Sequence, residues 1–281
     1  MLNTVTAPDQ APGLASIDTV AGVPARRRAT PNASRAAAIS AAVVPAAVAT
    51  CAAPAGAAAD LLQAMGNTLA LKRRVVHAGD LVHRGGEHFG CVYILNSGLL
   101  KIVNPSPDGR EQVIGFKFRG DWFGFDGMAR GHHAHDAIAM DTGEVVALPY
   151  AALLAACVGE PRLLTVLHAA MGREIAPDRD PLMSVCTLPS DARVADFLCY
   201  WAAALEQRGL RTDQFTLRMT RAEIGNYLGM TLETVSRALS KLARDKVIAF
   251  TEKGRRDFSV PDVKALAAFV QRCLEPARTL Q

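Results

Sequence analysis

Residues 219–250, MTRAEIGNYLGMTLETVSRALSKLARDKVIAF, read as two short helices separated by a tight turn. Thr220 stands where it caps the first helix, and Glu223, three positions on, returns a bond to the cap in a reciprocal Thr-x-x-Glu capping box. Ile224 and Leu228 share one helical face, and Gly229 supplies a sharp break that a β-carbon resists. Thr231 restarts the helix. In the second helix Val235, Leu239 and Leu242 make an inward apolar stripe, which turns Glu233, Ser236, Arg237, Ser240 and Lys241 outward. An isolated Glu-x-x-Ser-Arg on a helix is ordinarily a solvated face. Here the box, the glycine turn, the second cap and the stripe agree in register, which favours a helix-turn-helix with a reading face. Guanidinium bridges guanine O6 and N7, carboxylate accepts from cytosine N4, and a serine hydroxyl serves either base type. Glu233, Ser236 and Arg237 are therefore the candidate base contacts.

A chain of 281 residues, half of it apolar, suffices for two cores and excludes a largely disordered protein. Its net charge is +4, yet residues 208–256 hold eleven Lys and Arg against five Asp and Glu, a surplus of six that leaves the remainder at −2. Positive charge gathered around the reading face is the footprint of a site that displaces counterions from phosphate. Arg221, Lys241 and Arg255 are the candidate phosphate contacts. The six cysteines, Cys51, Cys91, Cys157, Cys186, Cys199 and Cys273, include no Cys-x-x-Cys pair, and several sit in apolar runs. That pattern points to buried free thiols in a reducing cytoplasm.

Residues 1–59 are rich in Ala, Pro, Ser and Thr and read as a disordered tail. Arg26 to Arg28, followed by an alanine run ending at AVATC before Cys51, imitates an export signal. The run lies far from the start, however, and Pro45, Pro54 and Gly56 interrupt a segment too weakly apolar to span a bilayer. From about Leu69 the texture changes to short apolar runs separated by glycine turns: RRVVHAGDLVHRGGEHFGCVYILNSGLLKIV, REQVIGFKFRGDWFGFDG and AIAMDTGEVVALPY. Such runs predict a β-sandwich or roll, with corners at Gly79-Asp80, Gly85-Gly86, Ser97-Gly98, Asp108-Gly109 and Gly120-Asp121.

A short helix is expected over Tyr150 to Cys157. Over residues 161–188 the apolar positions Leu163, Val166, Leu167, Ala170 and Ile175 approximate a two-helix seam. Pro177 and Pro181 predict a kink or restart near Asp178, since an interior proline costs about 3 kcal/mol, unless both take first-turn positions. Leu188-Pro189-Ser190-Asp191 reads as a hinge and cap for a helix ending at Gly209. Residues 247–260, VIAFTEKGRRDFSV, read as a hairpin wing with Lys253, Arg255 and Arg256 at its tip. The expected units are thus a tail over 1–59, a roll over 60–160, a helix over 161–188, a DNA-binding domain over 189–265 and a short helix and frayed tail to 281, with the tail taken from 266.

The chain resembles the Crp/Fnr superfamily of transcription regulators, most closely its Fnr branch. IGNYLGMTLETVSR at 224–237, GDWFGFDGMARGHH at 120–133 and GLLKI at 98–102 carry the resemblance, which extends from about residue 68 to 262. It implies an α+β fold: a cyclic-nucleotide-binding-type β-roll (jelly roll) used as a sensor, a long dimerisation helix and a C-terminal winged helix-turn-helix. It implies a homodimer that binds double-stranded DNA without catalysis, with Glu233, Ser236 and Arg237 at the base-contacting positions of a TTGAT-N4-ATCAA-like palindrome. A twofold axis would then set the two reading helices in successive major grooves. The loop over 107–111 resembles the surface that relatives press on RNA polymerase.

Two departures from the family pattern concern the input. Relatives that bind cyclic AMP meet its ribose with a Gly-Glu pair and its phosphate with an Arg-Ser pair. Here Gly120-Asp121 and His133-Ala134 stand at those places, and the bidentate guanidinium is missing, which disfavours cyclic AMP. The [4Fe-4S] cluster of the Fnr branch needs three amino-terminal thiolates and one in the roll. Only Cys51 lies in the amino-terminal region, and Val146 stands at the roll position, so the cluster is disfavoured as well. No cofactor is assigned. His132, His133 and His135 are read as ordinary loop histidines and no metal site is expected, because one turn offers too few ligands.

Two other readings stay open. A metal-dependent enzyme on a cupin-like roll lacks the spaced His-x-His with a distant Glu and His. A constitutive or thiol-redox-responsive regulator would use Cys91 or Cys157 as its switch.

Overall fold

The computed structural model describes residues 71–106, 108–175, 181–250 and 257–274. The short apolar runs form two four-stranded antiparallel sheets. One has the order β1 (Lys72–Val76), β8 (Gly143–Pro149), β3 (Cys91–Ser97), β6 (Trp122–Phe123). The other runs β2 (Leu81–His83), β7 (Asp136–Ala139), β4 (Leu100–Pro105), β5 (Glu111–Lys117). Val76, Leu95, Phe123 and Val145 of the first sheet close on Leu100, Ile102, Ala137 and Ala139 of the second to make the roll's inner core. This is the expected β-roll.

Two helices, α1 (Tyr150–Gly159) and α2 (Pro161–Ile175), cover the outside of the first sheet. Leu153, Cys157, Leu163, Leu167 and Ala170 pack there with Val92, Ile94, Trp122, Val146 and Leu148. The expected dimer seam is corrected accordingly. Leu163, Leu167 and Ala170 bury into their own roll, whereas Leu164 is 39% and Ile175 78% exposed. The described helical segments on either side of the expected kink or restart are α2 and α3 (Pro181–Thr187), and the kink or restart itself, near Asp178, lies outside the described residues. Pro177 lies outside the described residues.

The DNA-binding domain begins with α4 (Ser190–Glu206), whose cap position is taken by Pro189 and carries no side-chain bond. It continues through β9 (Gln214–Thr216), α5 (Arg221–Leu228), α6 (Leu232–Arg244), β10 (Ala249–Phe250) and β11 (Asp257–Ser259). The three strands form one antiparallel sheet in the order β10-β11-β9, the expected wing. Its tip, with Lys253, Arg255 and Arg256, lies outside the described residues, as do Cys51 and the expected tail over 1–59. The short helix expected after Asp262 is α7 (Val263–Leu274), and the limit placed at 265 is corrected, because Leu266 and Val270, four residues apart on one face, are buried in the domain core.

The domain core is continuous with the outer face of β5. The Phe116 ring meets Trp201 at 5.4 Å and Tyr227 at 5.0 Å, and Phe118 meets Trp201 at 4.9 Å, all edge to face. These contacts mount α5 on the roll.

Candidate nucleic-acid interface

The reader is assembled as its sequence prescribes. Thr220 Oγ1 accepts from the Glu223 amide at 3.2 Å, and Glu223 Oε2 accepts from the Thr220 amide at 2.9 Å, completing the capping box. Gly229 ends α5 with φ of 64°. Thr231 caps α6, its hydroxyl accepting from the Thr234 amide at 3.2 Å. Val235, Ala238, Leu239 and Leu242 are buried, while Glu233, Arg237, Ser240 and Lys241 are exposed and Ser236 is half-buried. A further requirement went unread in the sequence: a β-carbon on Gly225 would stand 2.5 Å from the Met230 carbonyl oxygen, so the turn closes on α5 only over a glycine. The signal was a glycine inside a helix, which costs about 1 kcal/mol against alanine and calls for a packing reason.

The predicted contacts are tied to one another and to their neighbours. Arg221 Nη1 donates to Ser236 Oγ at 3.0 Å, so a candidate phosphate contact holds a candidate base contact. Lys241 Nζ donates to the Asp191 carboxylate at the start of α4. Burial pushes the Asp191 carboxyl up, but its bond and charge pairing with Lys241 leave it below its ordinary value. Arg237 Nε reaches the Glu233 carbonyl oxygen only at 3.5 Å, the long limit of a hydrogen bond. Glu233 lies below its usual range through its own backbone amide and the Thr231 hydroxyl. Arg255 lies outside the described residues.

Polar bonds that the sequence did not disclose aim the reader. Lys101 Nζ in β4 donates to Glu223 Oε1 at 2.6 Å. Asn226 Oδ1 accepts from the Val113 amide at 2.6 Å, and its Nδ2 donates to the Glu111 carbonyl at 2.7 Å. Arg208 Nη2 donates to Asp121 Oδ1 at 2.5 Å, and Asp121 Oδ2 accepts from the Phe118 amide at 2.7 Å. Asp121 is thus engaged with the DNA-binding domain. In the loop over 107–111, Pro107 lies outside the described residues and Asp108 pairs with Arg110 on an exposed surface.

The histidine turn corrects another expectation. His133 is not an ordinary loop residue: it is 3% exposed and its Nδ1 lies 3.1 Å from Asp126 Oδ1. It stacks on His83 of β2 with ring centroids 3.9 Å apart. His83 is 2% exposed; among the described residues neither ring nitrogen makes a hydrogen bond of good geometry, although the His135 backbone approaches the ring. An unsatisfied buried polar group costs roughly 1–3 kcal/mol. Sequence reasoning missed His83 because β2 joins the turn only through the strand order. His132 is exposed, with Nδ1 3.3 Å from the Arg130 carbonyl oxygen, and His135 Nδ1 lies 3.3 Å from Asp126 Oδ2. Val146 is fully buried in the core, and burial pushes the Cys91 and Cys157 thiols up.

A β-roll that carries a firmly mounted helix-turn-helix, with acid, hydroxyl and guanidinium along its second helix, defines a DNA-binding regulator. Comparison with known proteins agrees. Residues 73–159 match the cyclic nucleotide-binding domain and residues 192–269 the Crp-like helix-turn-helix domain. The transcriptional activator protein Anr of Pseudomonas protegens is 35% identical over 176 residues, covering 63% of this chain and 72% of that protein. The fumarate and nitrate reduction regulatory protein of Salmonella typhimurium is 32% identical over 197 residues, covering 70% and 78%. The solved structure of FixK2 from Bradyrhizobium japonicum superposes with a TM-score of 0.63 at 25% identity, covering 74% of this chain and 100% of that one. The chain belongs to the Crp/Fnr family of transcription regulators. Among the described residues no helix is long and apolar enough to cross a membrane.

Proposed function

We propose that the chain works in the cytoplasm as a homodimer that reads a TTGAT-N4-ATCAA-like palindrome through Glu233, Ser236 and Arg237, and regulates transcription without catalysing a reaction. The observation that carries this reading is the face of α6: Glu233 and Arg237 are exposed on a helix whose opposite face is fully buried and whose partner helix is fastened to the roll. On contact with DNA, Arg221 exchanges Ser236 for a phosphate and Lys241 exchanges Asp191, and Arg255 adds a further phosphate contact from the wing. Relatives named as a transcriptional activator and as a regulatory protein support the transcriptional role. The loop over 107–111 is the surface for RNA polymerase.

Neither cyclic AMP nor a four-thiolate cluster is the input on this reading. Asp121 is engaged by Arg208, and among the described residues the free cysteines Cys91, Cys157, Cys186, Cys199 and Cys273 stand on separate elements. A redox switch at Cys91 or Cys157 is disfavoured too, since burial holds both thiols protonated. Fluorescence anisotropy on a labelled palindrome and on a scrambled duplex at equal salt tests the reading. Equal affinity for the two would refute it.

A further inference from the structure

We propose that His83, His133 and Asp126 form a binding site for one divalent transition-metal ion inside the β-roll. The three residues come from separate elements: His83 from β2, Asp126 from the single 3-10 turn (Phe125–Gly127) after β6, and His133 from the segment leading to β7. One ligand atom from each lies within 4.8 Å of the others. Nitrogen and carboxylate ligands bound 2.0–2.2 Å from a zinc-sized ion stand about 3 to 3.5 Å apart, so closure asks the His83 and His133 rings, now stacked 20° from parallel, to turn their in-plane lone pairs toward one point.

His83 is the observation that points to a ligand. Its neighbours Tyr93, Phe123 and His133 form a stack of rings, with centroids 5.4, 6.1 and 3.9 Å away. A phenylalanine would fill that slot without bringing into the core two nitrogens that lack a hydrogen bond of good geometry. A neutral imidazole offers a ring-nitrogen lone pair to a metal ion. Asp126 stays ionised. Burial pushes its carboxyl up, but bonds from His133, His135 and the Ala134 amide hold it well below the carboxylate range. The Ala134 amide at 2.7 Å and the His135 amide at 3.0 Å fix its Oδ2 and leave Oδ1 facing His133.

The donor set names the class of ion. Two imidazoles and a carboxylate suit zinc, iron(II), cobalt or nickel; magnesium and calcium prefer all-oxygen sets, and copper(I) prefers sulfur. Five of the chain's seven histidines, His83, His88, His132, His133 and His135, gather here, with the His88 and His132 rings 5.8 Å apart at the exposed side. An ion held by the three ligands would clip β2 to the turn between the two sheets, in the domain expected to receive the signal.

The test uses untagged, chelator-stripped full-length protein titrated with zinc against a chromophoric chelator, and with cobalt followed by its visible absorption. The expected result is one ion per chain, with affinity falling at least about tenfold in both His83→Phe and Asp126→Asn, and within error of wild type in His132→Ala. His83→Phe should keep the wild-type circular dichroism spectrum and lose the zinc-induced rise in melting temperature. Wild-type protein that takes up no ion, or uptake unchanged in both ligand variants, would overturn the proposal. If His83→Phe fails to fold, Asp126→Asn and the wild-type cobalt spectrum decide, a spectrum without tetrahedral or five-coordinate bands counting against the site.

Discussion

Lys101 Nζ, in strand β4 of the roll, lies 2.6 Å from Glu223 Oε1 in the capping box of α5, across 122 positions of sequence. One carboxylate therefore closes the cap and fastens the reader to the roll. The Glu223 carboxyl lies below its ordinary value: burial pushes it up, and the bonds from Lys101 and Thr220 outweigh burial. A carboxyl depressed in the folded state contributes its full stabilisation above the unfolded value of about 4.3 and loses it as pH falls through the folded value. Lys101→Met should lower stability by about 1 kcal/mol at neutral pH. Urea denaturation should show the gap to wild type narrowing below about pH 4, where the partner carboxyl becomes protonated in both proteins. A gap constant with pH would assign Lys101 to packing alone.

Arg237 is exposed, and among the described residues its hydrogen bond is a long one to a backbone carbonyl, so its guanidinium turns toward a base with little loss. Arg237→Ala should cost about 1–3 kcal/mol on the palindrome and much less on a scrambled duplex. Anisotropy at one salt concentration reads both. Equal losses would make Arg237 a phosphate contact.

Much of this architecture was legible in sequence because it rests on local chemistry. The capping box, the Gly229 break and the α6 stripe each lie within a few residues, and a short window contains their whole physical cause. What stayed hidden depends on distant strands. Asn226 looks like an ordinary helical polar residue until β5 presents the Val113 amide and Glu111 carbonyl to it. The seam of α2 was misassigned because an apolar stripe does not declare whether it faces a second chain or its own sheet. His83 reads as one polar residue in a strand, and only the β2-β7 pairing carries it to His133.

Asp191 offsets the charge of a residue that the duplex would use. Its carboxylate accepts from Lys241 and adds negative charge at the edge of the reading face. Asp191→Asn should release Lys241 beforehand and tighten DNA binding at each salt concentration, with the slope unchanged because Lys241 meets a phosphate in both proteins. Plots of log affinity against log salt for wild type, Asp191→Asn and Lys241→Ala check it. A slope in Lys241→Ala equal to that of wild type would show that Lys241 does not reach phosphate.

Gly225 is the tightest point of the reader. An alanine there would set its β-carbon 2.5 Å from the Met230 carbonyl oxygen, a backbone atom with no torsion to yield. Gly225→Ala should destabilise the protein by about 1–3 kcal/mol, the usual cost of overpacking, despite alanine's better helix propensity. It should also weaken palindrome binding more than random binding, because displacing the turn re-aims α6. A thermal melt at or above wild type would contradict this packing.

The proposed homodimer would pair through the side of α2 that the roll leaves open. Leu163, Leu167 and Ala170 are buried against the chain's own first sheet. Leu164, His168, Met171 and Ile175 follow one another at spacings of four, three and four, the seam of a two-helix coil. Leu164 and Ile175 are 39% and 78% exposed in the isolated chain. Charge at either position would go unpaired in a twofold interface, where each residue meets its own kind, whereas it costs little on a solvated helix. Leu164→Glu and Ile175→Glu should each shift the chain from dimer to monomer in sedimentation velocity, with the circular dichroism melt of the monomer little changed. They should also abolish tight binding to the palindrome while half-site binding persists. Leu167→Glu gives the contrasting result, unfolding the roll through its inner contact. If both exposed-face variants remain dimers, the two chains meet elsewhere and α2 serves only to cover its sheet.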